Sequence, residues 1–221
     1  YLKTAQAQKA SMQSRVNPAV VKSVLLSLIS FFVSNAKVMG SLSPFGIALT
    51  AAVPLRMSYV SFIGCFLGYI VFGRLSESLS YLAALTFVLA VKQLIRPYRK
   101  LRENVLFLTA MTTVVSAVSG IVISTAAEDT MAAMVIKLLE AVLAGGMTLF
   151  CALSYKAIFG GKRLQFYDTT EAVSTMIVGI MAIIALCGVE IYGNSLGRIL
   201  SVLAILGAAY CGGIGGCAAV S

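Results

Sequence analysis

Lys92-Gln93-Leu94-Ile95-Arg96-Pro97-Tyr98-Arg99-Lys100-Leu101-Arg102 holds five of the seventeen basic residues in this 221-residue chain. One apolar run ends just before it, near Ala90, and another starts just after it, near Val105. A short basic loop between two apolar segments of bilayer length stays on the cytoplasmic side of a membrane. The loop therefore decides the fold: an all-α, polytopic transmembrane helical bundle, oriented by Lys92, Arg96, Arg99, Lys100 and Arg102.

Composition agrees. The chain is 59% hydrophobic and 11% charged, with a mean hydropathy of +0.95. Soluble domains carry roughly 25% charge, so a water-soluble fold of this chain would expose large apolar areas. The net charge of +9 would elsewhere point to nucleic acid, but here the bases lie in the gaps between apolar runs rather than on one soluble face. The expected partner is the lipid bilayer, with no nucleic acid. Five cysteines, Cys65, Cys151, Cys187, Cys211 and Cys217, are odd in number and widely spaced, which excludes a disulfide framework and a CxxC pair. There is no histidine, so no imidazole ligand or base is available.

Outward from the loop, the pattern predicts about eight spans. Residues 1–18 form a basic cytoplasmic lead-in, and 19–221 form the membrane domain. The first helix is expected over Ala19 to Asn35, the third over Met57 to Phe72, the fourth over Leu79 to Ile95 and the fifth over Val105 to Thr125. The sixth covers Met131 to Tyr155, the seventh Ala172 to Tyr192, and an eighth starts near Leu196. The second, Met39 to Leu55, contains Pro44, Gly46 and Pro54, so it reads as either a short kinked helix or a broken one. Irregular backbone at that depth has to face protein or a cavity. With the N-terminus cytoplasmic, thirteen of the seventeen bases fall inside and Lys37, Arg74, Lys137 and Arg198 fall outside, the bias expected of a membrane protein. The chain opens on Tyr1 without a signal-peptide pattern and stops within an apolar, glycine-rich stretch. It is therefore expected to be a piece of a longer protein, truncated at its C-terminus.

Two features carry candidate chemistry. Lys137 and Glu140 are one helical turn apart in the sixth segment, with Glu140 about 15 Å into it at 1.5 Å per residue. A carboxylate at that depth must be paired, protonated or turned to a polar interior. It reads as part of an ion or substrate path in a small secondary transporter or permease component, as a structural polar contact, or as a device for helix specificity or sensing. Gly64 and Gly68 form a GxxxG, and Gly212, Gly213, Gly215 and Gly216 crowd the C-terminal stretch; such spacing lets backbones approach closely within or between protomers. Gly160-Gly161-Lys162-Arg163 lacks the framework of a phosphate loop. Asp168-Thr169-Thr170-Glu171 offers a cap and first-turn acids for the seventh helix. No catalytic, cofactor-binding or metal site is read in the chain.

Several segments together carry a family resemblance. They are the basic lead-in with the first helix, Leu42-Ser-Pro-Phe-Gly-Ile-Ala48, the basic loop, Phe166-Tyr-Asp-Thr-Thr-Glu-Ala172, Gly197-Arg-Ile-Leu200 and Gly212-Gly-Ile-Gly-Gly-Cys217. The chain resembles the N-terminal transmembrane domain of the stage II sporulation protein E family, the sporulation serine phosphatases. That resemblance implies about ten membrane helices followed by a regulatory segment and a manganese-dependent phosphatase domain of the PP2C type. The parent would dephosphorylate an anti-anti-sigma factor, activating the forespore sigma factor. It would sit in the bacterial cell membrane at the polar septum and associate with cell-division ring proteins. This chain has no phosphatase aspartates, so manganese and catalysis are expected outside it. Its own implied role is anchoring, septal localisation and assembly, as a homo-oligomer.

Overall fold

The computed structural model describes residues 18–37, 42–72, 75–126, 130–159, 168–191 and 194–207. Small and polar residues recur every three or four positions along the long helices, and this periodicity decides which face turns inward. On α3 (Leu55–Phe72) the buried positions are Ser58, Ser61, Gly64, Cys65, Gly68 and Tyr69, while Ile63, Leu67, Ile70 and Val71 point outward. On α6 (Val105–Ala126) Thr112, Ser116, Ser119, Gly120 and Ser124 are buried, and Val114, Val118 and Val122 are exposed. Lipid solvates the large aliphatic side chains as well as protein does, so helices in a bilayer associate through small faces that pack closely.

The remaining helices are α1 (Pro18–Val33), α2 (Phe45–Ala52), α4 (Leu75–Leu94), α5 (Arg99–Glu103), α7 (Met131–Phe159) and α8 (Thr169–Cys187). A minimal hairpin, β1 (Glu190–Ile191) with β2 (Asn194–Ser195), leads into α9 (Leu196–Gly207). Among the described residues α3, α6, α7 and α8 are long and apolar enough to cross a membrane, and Val20–Val33, Ser78–Leu94 and Leu196–Gly207 are shorter apolar helices.

Side-chain contacts fix the helix directions. Ser23 meets Met57, Ser30 meets Ser61 and Phe31 meets Phe72, so α1 and α3 run parallel. The chain between them must therefore return to the level at which α1 began, and α2 lies on that return. Next, α4 runs antiparallel to α3, with Tyr81 stacked on Tyr69 and Gln93 bonded to Tyr59 at the other end. α6 and α7 are antiparallel, with Gly145 facing Thr109 and Thr113, and Gly120 facing Lys137. At the base of α1, Lys22 lies 5.6 Å from the ring of Phe159, at the end of α7. At its top, Asn35 meets Gly188, just past α8.

α2 is at the centre. It packs against α7, α4, α3, α1 and α6, and all eight of its residues are buried. Phe45, Leu49 and Ala52 enter one core with Leu26, Val33 and Met181. Ile47 and Ala51 enter a second with Tyr69, Leu85, Val88 and Met111.

The expected second helix, Met39 to Leu55, is thus not one continuous helix. The helical part is eight residues long, about 12 Å at 1.5 Å per residue, against about 30 Å of hydrocarbon. Elsewhere boundaries move by a few residues: α4 starts at Leu75, and α7 continues to Phe159. The seventh helix spans Thr169–Cys187 and not Ala172 to Tyr192. Its entry is capped as the sequence requires, with the Asp168 carboxylate accepting from the Thr169 N–H at 2.9 Å and the Asp168 N–H donating to Glu171 at 3.3 Å.

Candidate functional site

Two prolines make α2 short. Helix begins just after Pro44 and stops at Val53, which is extended (φ −76°, ψ 148°), as the residue before Pro54 should be. A buried helix this short has orphan backbone groups at both ends and no water to satisfy them. Side chains from α3 and α4 take that role.

At the C-terminal end stands Lys92, which is only 5% exposed. Its ammonium donates to the carbonyl oxygens of Thr50 at 3.0 Å, Ala51 at 2.9 Å and Val53 at 2.5 Å, and lies 2.6 Å from Ser58 Oγ. Ser58 in turn donates to Thr50 O at 2.9 Å and Val53 O at 3.0 Å. The cation thus sits at the negative end of the helix dipole and reaches three carbonyls, two of them shared with Ser58. At the other end, Tyr69 donates to Ser43 O at 2.7 Å, and the Ser43 N–H donates to the Tyr81 hydroxyl at 3.3 Å. Between them Thr50 donates to Gly46 O at 2.9 Å and Thr50 Oγ1 lies 3.1 Å from Ser61 Oγ, to which Ser30 donates at 2.9 Å.

The tyrosines extend this network to the sixth-segment pair. The two rings stack with centroids 5.2 Å apart, and Lys137 Nζ lies 5.0 Å from the centroid of Tyr81. Lys137 also donates to Glu140 Oε2 at 3.0 Å. The other carboxylate oxygen, Oε1, has no hydrogen-bond partner among the described residues, and neither does Ser116 Oγ. Both residues line a cavity of about 20 Å³, room for about one water molecule. Glu140 is therefore paired, and turned to a polar interior.

Lys92 is where sequence and structure part. The sequence groups it with the basic loop, whereas the structure puts it in the last turn of α4 with its charge spent on α2. Arg96 and Lys100 are exposed and Arg102 is half-buried; Arg99 lies in α5. Gly64 and Gly68 pack inside the chain against α1: a Cβ at Gly64 would stand 2.9 Å from Ser30 Cβ, and one at Gly68 would run into Ser34 and Phe31 O. Gly212, Gly213, Gly215 and Gly216 lie outside the described residues, as do residues 1–17 and Gly160 to Tyr167. Sequence reasoning missed Ser43, Ser58, Tyr69 and Tyr81. The available signal was a lysine in the last turn of one apolar segment combined with two prolines ten residues apart in another. Among the described residues no group of three or more His, Cys, Asp or Glu could hold a metal ion, so no manganese site is assigned to them.

The family model described as SpoIIE, N-terminal domain, matches residues 2–220. The chain belongs to that family. No curated protein matches it, and no solved structure does. The chain is thus a predominantly helical sporulation membrane domain of that family, built around a buried half-helix that Lys92 clamps at one end and Tyr69 and Tyr81 at the other.

Proposed function

We propose that this chain anchors and assembles a sporulation serine phosphatase, crossing the membrane eight times with its N-terminus in the cytoplasm and the second crossing broken at α2. One observation supports the second crossing: the parallel course of α1 and α3, which brings the intervening chain back to the level at which α1 began. The bases support the orientation. Lys22, Arg56, Arg96, Lys100, Arg102 and Lys156 lie at the helix ends on the same side as the start of α1, while Lys37 and Arg198 lie at the opposite ends. That asymmetry is the one cytoplasmic loops carry.

On this reading the chain holds the phosphatase at the polar septum, in contact with cell-division ring proteins. Manganese and the phosphorylated anti-anti-sigma factor belong to a phosphatase domain beyond this chain. Assembly between copies uses outward positions, because Gly64 and Gly68 are already packed on α1. Gly146 and Gly179 have nothing within 4 Å of where a Cβ would stand. The Lys137–Glu140 contact and the water-sized cavity beside it favour a structural role for Glu140 over a transport path. A fluorescent fusion to this chain in sporulating cells tests the reading: signal concentrated at the polar septum is expected, and signal spread evenly over the membrane contradicts it.

A further inference from the structure

A second, much larger cavity lies where α2, α4 and α7 end and α3 and α6 begin. Its volume is about 770 Å³, within the roughly 300–1,000 Å³ of small-molecule sites. Arg56, Arg96, Arg102 and Lys156 line it, Lys92 stands at its floor, and its lining contains no Asp or Glu. The rest of the wall is mostly apolar, including Leu55, Val105, Leu108 and Phe159, with two tyrosines, Tyr59 and Tyr155.

Bases from four helix ends converge on this one cavity, and an anion placed among them is attracted by all of them. Arginine guanidinium groups match the oxygens of a phosphate in geometry as well as charge. A soluble phosphate would leave the apolar wall unused. An amphiphile satisfies both parts, with its headgroup among the bases and its chain along the aliphatic and aromatic side chains. Basic pockets between membrane helices at the cytoplasmic interface bind anionic headgroups in this way.

We propose that this cavity is a binding site for an anionic phospholipid of the inner leaflet, its phosphate held by Arg56, Arg96 and Lys156. The leaflet rests on the orientation proposed above, whereas the binding chemistry does not. The site also adjoins the end of α2, since Ala52, Val53 and Pro54 line it. Thr50, Ala51 and Val53 carry the Lys92 ammonium at the cavity floor, so a bound headgroup would press on the clamp that holds the half-helix.

The test uses full-length protein purified in a neutral detergent, where orientation plays no part. Melting temperature is followed on titration with phosphatidylglycerol, phosphatidylcholine or inorganic phosphate. A saturable rise with phosphatidylglycerol alone is expected. Combined Arg56→Gln, Arg96→Gln and Lys156→Gln should weaken that response about a hundredfold, each base at an anionic surface being worth about a factor of five. Lys100→Gln, on the same side but outside the cavity lining, should leave it unchanged. If the triple variant does not fold, Arg96→Gln alone should show about a fivefold loss. Equal responses to the two lipids, an equal rise with inorganic phosphate, or a response as sensitive to Lys100→Gln as to Arg96→Gln would each overturn the proposal.

Discussion

The ammonium of Lys92 donates to the carbonyl oxygen of Ala51 at 2.9 Å, across a sequence separation of 41 residues. That bond joins the last turn of α4 to the end of a half-helix in the centre of the bundle. It makes Lys92 the residue on which the broken segment depends.

Replacing it should therefore cost more than its charge suggests. Lys92→Met removes the ammonium from the carbonyls of Thr50, Ala51 and Val53; Ser58 still donates to the first and last, and a buried group left unsatisfied, as at Ala51, costs about 1–3 kcal/mol. Thermal unfolding in detergent should show a large drop for Lys92→Met and almost none for Lys100→Met, which is exposed. Equal effects would mean that the two lysines serve alike as surface charges.

The GxxxG pair should be intolerant of any side chain. Gly64→Ala sets a methyl against Ser30 Cβ at 2.9 Å, and Gly68→Ala sets one 2.5 Å from Phe31 O. Overpacking of this kind costs about 1–3 kcal/mol. Gly179→Ala meets open space and should leave the melting temperature of the protein unchanged. A Gly64→Ala protein that melts normally but loses a contact between copies would move that pair from the interior to an interface.

The sixth-segment pair gives an ordered series. Glu140 is the more enclosed partner, with its side chain 8% exposed against 25% for Lys137. Lys137→Met strands a buried carboxylate and should destabilise by up to roughly 3–5 kcal/mol. Glu140→Gln strands a lysine that can reach outward and should cost less. The double variant Lys137→Met/Glu140→Met should recover most of the loss, because removing both charges also removes their desolvation. A double variant as unstable as the sum of the singles would show that the two residues act independently.

The overall class was legible because lipid imposes a simple rule: apolar runs of sufficient length between basic gaps. Pro97 marked the end of α4, and Asp168 with Glu171 marked the start of α8. The path of the second segment was harder to read. Pro44 and Pro54 announced a break, but whether the chain crosses there depends on α1 and α3 running parallel, a long-range fact with no local trace. Lys92 was misread for a related reason. A lysine at a helix end snorkels to the interface or turns inward according to whether orphan carbonyls stand within reach, and those carbonyls come from residues about forty positions earlier. Glu140 was legible as a problem, since a deep carboxylate needs a partner, but Tyr81 as the link between that pair and the half-helix was not.

The crossing of the broken segment is the central claim, and cysteine accessibility in intact cells tests it most directly. In a cysteine-free background, Lys37→Cys and Arg56→Cys bracket α2 at two exposed positions. A membrane-impermeant maleimide should label Lys37→Cys from outside and leave Arg56→Cys unlabelled until the cells are opened. Labelling of both from the same side would contradict the account, because α2 would then enter and leave the bilayer on one face.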